Sequence, residues 1–188
     1  MQILRNQFIT ASINPKGAEL VSLIHYQSHT EYIWGANPAF WAKSSPVLFP
    51  IVGSLKNNTY RFEEQEYTLP RHGFARDKEF TVEQHTDNQT IFLLKSDEET
   101  LKIYPFHFEF RLIYTLQDSS LAVTYSVKNT GVGPMYFSVG GHPAFAVPLV
   151  ENTQYEDYYL MFNQTEDFKR WELTTDGLIQ TQSVDFLN

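Results

Sequence analysis

Apolar and polar residues alternate with period two along much of this chain. In Phe106-His107-Phe108-Glu109-Phe110-Arg111-Leu112 every second residue is apolar, and Leu121, Val123, Tyr125 and Val127 resume the pattern after Asp118-Ser119-Ser120. Such alternation marks strands with one face in a core, and the polar trio between them predicts a hairpin turn. The same reading predicts strands over 2–10, 18–26, 60–69 and 79–94. The third splits at Glu63-Glu64-Gln65-Glu66 and the fourth at Thr86-Asp87-Asn88-Gln89. Later strands are expected over 135–139, 157–162, 168–172 and 179–187, with a turn at Thr174-Thr175-Asp176-Gly177-Leu178. Only Asn37-Pro38-Ala39-Phe40-Trp41 looks like a helical turn, with Asn37 as its cap and Pro38 at the first position. Turn residues recur at the spacing of an all-β sandwich or barrel. No long amphipathic helix, repeat or linker interrupts the pattern, so residues 1–188 are expected to form one β domain. A last strand running on from Ile179 leaves an edge that calls for a partner.

Composition narrows the function classes. The chain has 188 residues, 42% of them hydrophobic and 15% aromatic, enough for a sizeable core. A net charge of −8 argues against nucleic acid or an anionic membrane as partner. The absence of cysteine removes disulfides and thiolate metal sites. The N-terminus has no basic stretch leading into an apolar one, and no apolar run is long enough for a membrane span. A cytoplasmic protein is expected.

Two histidines stand in glycine- and proline-framed loops, the usual place for chemistry on a β scaffold. His72 lies in Pro70-Arg71-His72-Gly73-Phe74-Ala75-Arg76, where Arg71 and Arg76 should hold its imidazole neutral. His142 lies in Gly140-Gly141-His142-Pro143-Ala144-Phe145. Two successive glycines inside an apolar β pattern imply a bulge or a close approach. Each histidine can equally be read as a structural loop residue. His25, His29, His85 and His107 lack such a frame. No His-x-His and no helical i,i+4 pair is present, so neither metal nor cofactor is expected. Trp34, Phe40 and Trp41 cluster in one segment, either as core plugs or as rings that stack on a sugar.

Three ordered motifs carry a resemblance: Pro46-Val47-Leu48-Phe49-Pro50-Ile51-Val52-Gly53, then Leu69 to Arg76, then Gly140 to Phe145. Together with Tyr104-Pro105-Phe106 and Asn129-Thr130-Gly131 they resemble the aldose 1-epimerase (galactose mutarotase-like) family, nearest its LacX-like branch. The resemblance implies a large antiparallel β-sandwich and a small-molecule sugar as partner. The implied activity is interconversion of the α and β anomers of a hexose or hexose phosphate by acid–base catalysis. It further implies His142 as general acid, His72 as its hydrogen-bonding companion, and Arg76 orienting the ligand or that histidine. Arg71 and Lys56 are further candidates for binding sugar or phosphate. Relatives commonly carry an arginine just after the first motif, where this chain has Ser54 and then Lys56. The family's general base is a glutamate in the C-terminal part, and Glu151, Glu156, Glu166 and Glu172 lie too early to match it. The chain therefore reads as the N-terminal majority of the family fold. The alternative function is a sugar-binding module that lacks the base.

Overall fold

The computed structural model describes residues 1–164 and 169–185. β1 (Gln2–Arg5), β2 (Ile9–Asn14) and β3 (Glu19–His25) form an antiparallel sheet in that order. The strand expected over 2–10 is thus broken. The Asn6 side-chain oxygen accepts from the Phe8 and Ile9 amides at 2.8 and 2.9 Å, turning the chain into a hairpin. β4 (Val47–Leu48) follows a long loop, and β5 (Thr59–Phe62) and β6 (Gln65–Thr68) make the expected split hairpin.

β7 (Thr81–His85), β8 (Gln89–Lys95), β9 (Phe108–Gln117) and β10 (Ser120–Asn129) build a four-stranded sheet ordered β10-β9-β8-β7. Both hairpin turns fall where the polar breaks lie. β9 buries Phe108, Phe110, Leu112, Tyr114 and Leu116, every second residue, as its alternation requires. Tyr125, Leu112, Phe92 and Val82 form one row across all four strands. Leu112, Phe92 and Val82 join Leu4, Ala11 and Ile13 of the first sheet in one core cluster, which makes the fold an all-β sandwich. Tyr114 donates to the Ala18 carbonyl at 2.7 Å across that core.

Phe49, just after β4, is fully buried and stacks on Phe110 with ring centroids 4.5 Å apart. Phe74, Tyr104 and Phe108 pack edge-on around it. Truncating it to alanine would cost about 3–5 kcal/mol.

One helix was not anticipated. α1 (Glu98–Ile103) is nucleated by Asp97, whose carboxylate accepts from the Thr100 amide at 2.7 Å while Thr100 Oγ1 accepts from the Asp97 amide at 2.8 Å. Asn37 does cap a turn: its carbonyl accepts from the Phe40 and Trp41 amides, without helix following. Residues 135–139 are extended but belong to no strand, and 157–162 begin in a 3-10 turn (Tyr155–Asp157) rather than a strand. β11 (Gly140–Gly141) pairs with β4. β12 (Lys169–Leu173) and β13 (Ile179–Asp185) pair through the expected turn, closed by the Gly177 amide on the Thr174 carbonyl at 2.9 Å. Phe168, Phe186 and Leu187 of those expected strands lie outside the described residues. Among the described residues, no helix is long and apolar enough to cross a membrane.

Candidate active site

The segment from Pro46 to Gly53 is the hub on which both histidine loops are mounted. On one side, β11 pairs with β4, placing Gly140 opposite Leu48 and Gly141 opposite Val47. The His142 amide then donates to the Pro46 carbonyl at 3.1 Å, and the Ser138 amide to the Pro50 carbonyl at 2.8 Å. On the other side, the Phe74 and Ala75 amides donate to the Phe49 carbonyl at 3.0 and 3.2 Å. A peptide flanked on both sides by backbone hydrogen bonds carries two rigid loops, and the rings of His72 and His142 meet with centroids 6.3 Å apart.

His72 has a φ of +69° and Gly73 one of +70°. A non-glycine residue in the left-handed region is held there by its surroundings, and such strain concentrates at functional sites. Here Gly53 holds it. The His72 amide donates to the Gly53 carbonyl at 2.8 Å, and the Gly53 amide donates back to His72 Nδ1 at 3.0 Å. With Nδ1 engaged as acceptor, the neutral ring carries its proton on Nε2. Burial lowers the His72 pKa from the usual 6.5, and Arg71, Arg76 and His142 lower it further. The arginines act as the sequence implies, but burial is the larger cause. Gly73 is obligatory by space as well as by angle, since a Cβ there would collide with the Phe49 carbonyl.

The glycine pair before His142 answers to close approach. A Cβ on Gly141 would land on the Tyr125 hydroxyl, and one on Gly140 would sit 3.2 Å from a Val52 methyl. Neither residue has a positive φ. The exposed His142 ring packs against Trp41 with centroids 4.9 Å apart and planes inclined by 58°.

Arg76 is half-buried. It donates through Nη2 to the Arg71 carbonyl at 3.1 Å, and its Nε lies 3.6 Å from Asp77. That Nε is buried without a hydrogen-bond acceptor among the described residues. Arg71 itself is exposed. Lys56 sits exposed on the 3-10 turn Lys56–Asn58, and no hydrogen bond or ion pair joins its ammonium to the other candidates. Among the described residues no three His, Asp or Glu side chains gather as metal ligands. Sequence reasoning placed Gly53 in the first motif without its role toward His72, and missed Glu19. Glu19 is buried and accepts from the Ser44 and Ser45 amides at 2.7 and 3.0 Å, anchoring the loop that leads into β4. Its signal was a carboxylate inside an otherwise apolar strand. Two grooves of about 440 and 340 Å³ flank the hub, the first reaching Pro50, Ile51 and Ser138 and the second Val47 and Pro143. Tyr60, Phe62, Tyr104 and Phe106 line the first, and Leu112, Tyr114, Val123 and Tyr125 the second. Neither groove is lined by a histidine or a carboxylate, so the polar cluster on the hub is the better candidate for acid–base chemistry.

The sequence model of the aldose 1-epimerase family matches residues 1–186. The chain belongs to that family. Protein LacX (plasmid) of Lactococcus lactis subsp. lactis is 39% identical over 169 residues, which are 87% of this chain and 56% of LacX. A galactose mutarotase related enzyme from Lactobacillus acidophilus superposes with a TM-score of 0.92 at 39% identity, over 97% of this chain and 62% of its own. A galactose mutarotase-like protein from Lactobacillus casei gives 0.86 at 30% identity, over 98% and 63%. The chain thus spans less than two thirds of these relatives. Among aldose 1-epimerase family members it shares the galactose mutarotase-like fold.

Proposed function

We propose that His142 and His72 form the proton-donating side of a sugar mutarotase site acting on a hexose or hexose phosphate. The observation that carries this reading is the meeting of the two loop histidines on one hub. Anomer exchange requires a proton on the ring oxygen as the C1–O bond breaks, and loss of the anomeric hydroxyl proton as the carbonyl forms. Rotation about C1–C2 and reclosure then invert the anomeric centre. His142, the exposed member of the pair, delivers the first proton. His72 serves as a fixed neutral donor, its Nε2–H binding the ring oxygen or a neighbouring hydroxyl. Arg76 has a buried N–H that makes no hydrogen bond among the described residues, and with Arg71 and Lys56 it provides cationic groups for hydroxyls or a phosphate.

One observation favours the second reading, a binding module without turnover. Among the described residues, the charged groups that shift the His72 pKa are Arg71, Arg76 and His142, with no carboxylate among them. The base is therefore assigned to no residue of this chain.

Polarimetry or exchange NMR on free hexoses and their phosphates tests the proposal, alongside titration with the same sugars. The mutarotase reading expects faster anomer exchange that falls about 100-fold or more in His142→Ala. Full activity in that variant overturns the assignment of the acid. Binding without acceleration selects the second reading.

A further inference from the structure

A general acid must be held in one orientation, usually by a hydrogen bond to its second ring nitrogen. His72 has such a bond from Gly53. His142 is exposed, and its ring has none among the described residues. Its ring instead touches Trp41 and faces His72. We propose that Trp41 is the positioning residue of His142, with the tilted ring contact replacing a hydrogen bond to the imidazole; this rests on the mutarotase reading for its catalytic consequence alone.

Trp41 is itself fixed from several sides. The Asn37 carbonyl accepts its amide at 2.9 Å, and the Trp34 indole N–H donates to its carbonyl at 2.9 Å. Trp34 is braced in turn by Ser44 Oγ, which donates to its carbonyl at 3.0 Å, and by the Ala144 carbonyl, which accepts its amide at 2.9 Å. Ala144 is two residues beyond His142, so the same hydrogen-bond network positions the backbone that carries both rings. Three aromatics placed together in sequence thereby divide their work. Trp34 holds the loop, Trp41 holds the imidazole, and Phe40 stays exposed.

The test compares Trp41→Leu and Trp41→Phe in the full chain by NMR of the His142 ring. In the wild type its Cε1–H signal is displaced by the indole ring current and relaxes as a rigid group. Trp41→Leu should remove the displacement and mobilise the ring, while Trp41→Phe retains most of both. In anomer exchange, Trp41→Leu should lower kcat about 10- to 100-fold with KM unchanged, and phenylalanine should restore it. A His142 ring that in Trp41→Leu stays as immobile as in the wild type overturns the proposal, as does a rise in KM alone, which would make Trp41 a surface for the sugar. If the wild type exchanges no anomers while the His142 signal still depends on Trp41, the mutarotase reading fails and the positioning stands.

Discussion

His72 and Gly53 exchange two hydrogen bonds: the His72 amide donates to the Gly53 carbonyl, and the Gly53 amide donates to His72 Nδ1. The pair ties a loop histidine to the end of the hub and decides which ring nitrogen is offered to a ligand. Protonation would put a second N–H against the Gly53 amide, which opposes the imidazolium in the same direction as burial and the two arginines.

The pH dependence follows from that lowered pKa. Between the folded-state value and the usual 6.5 the unfolded chain binds more protons than the folded one, so stability rises with pH across that window. The contribution is complete above 6.5 and is lost as pH falls through the folded-state value. His72→Asn should keep the backbone, because asparagine tolerates positive φ and offers an acceptor to Gly53, while flattening the slope. Denaturation midpoints measured at a series of pH values check this. Long-range proton–nitrogen NMR of the wild type should show the Nε2–H tautomer.

Gly73→Ala should be among the most damaging single-methyl changes in the protein. Its φ of +70° already disfavours alanine, and the new Cβ would collide with the Phe49 carbonyl and approach Pro50 Cδ to 2.7 Å. Together these should cost at least about 2 kcal/mol. The loss should appear as a lower urea midpoint with unchanged m, and the His72 signals should shift.

Local alternation and turn chemistry made β5–β6, β7–β8 and β9–β10 legible, because there the hydrophobic period and the polar breaks agree. The aromatic run Met135-Tyr136-Phe137-Ser138-Val139 looks the same locally but pairs with no strand among the described residues, and is held to Pro50 through the Ser138 amide. Pairing is a property of the neighbour, so no local pattern reports it. In the site, the glycine and proline frames singled out His72 and His142, and the resemblance assigned their roles. The packing of Trp41 on His142, and the reason for Gly141, depend on residues distant in sequence. The capping pair Asp97 and Thr100 was visible in the chain, but the helix it starts is too short to show a period.

The clash that keeps residue 141 a glycine is with one hydroxyl. A Cβ there would meet Tyr125 Oη, whereas the nearest ring carbon is 3.6 Å away. Gly141→Ala alone should destabilise the chain by about 1–3 kcal/mol and displace His142. Tyr125→Phe removes the obstructing atom, so the double variant should recover much of the loss. A double-mutant cycle in urea should return a favourable coupling of about 0.5–3 kcal/mol. Strict additivity would mean that the glycine is needed for another reason.

Glu19 should matter more to stability than any exposed ion pair, because its carboxylate holds two backbone amides in a buried place. Oε1 accepts from Ser44 and Ser45, and Lys43 lies 3.9 Å from Oε2 while reaching Asp77 at 3.5 Å. Glu19→Gln keeps an acceptor but loses its charge, for an expected cost of about 1–2 kcal/mol. Glu19→Leu strands both amides and should cost about 2–4 kcal/mol. Lys102→Ala, which breaks an exposed pair with Glu99, should cost less than about 1 kcal/mol. Because the loop beyond Glu19 carries Trp41 and leads into the hub, Glu19→Leu should also shift the His142 ring signals, whereas Lys102→Ala should leave them in place. Urea denaturation and histidine NMR of the three variants measure both effects, and a Glu19→Leu protein with wild-type midpoint and spectrum would show that the buried carboxylate does not anchor the loop.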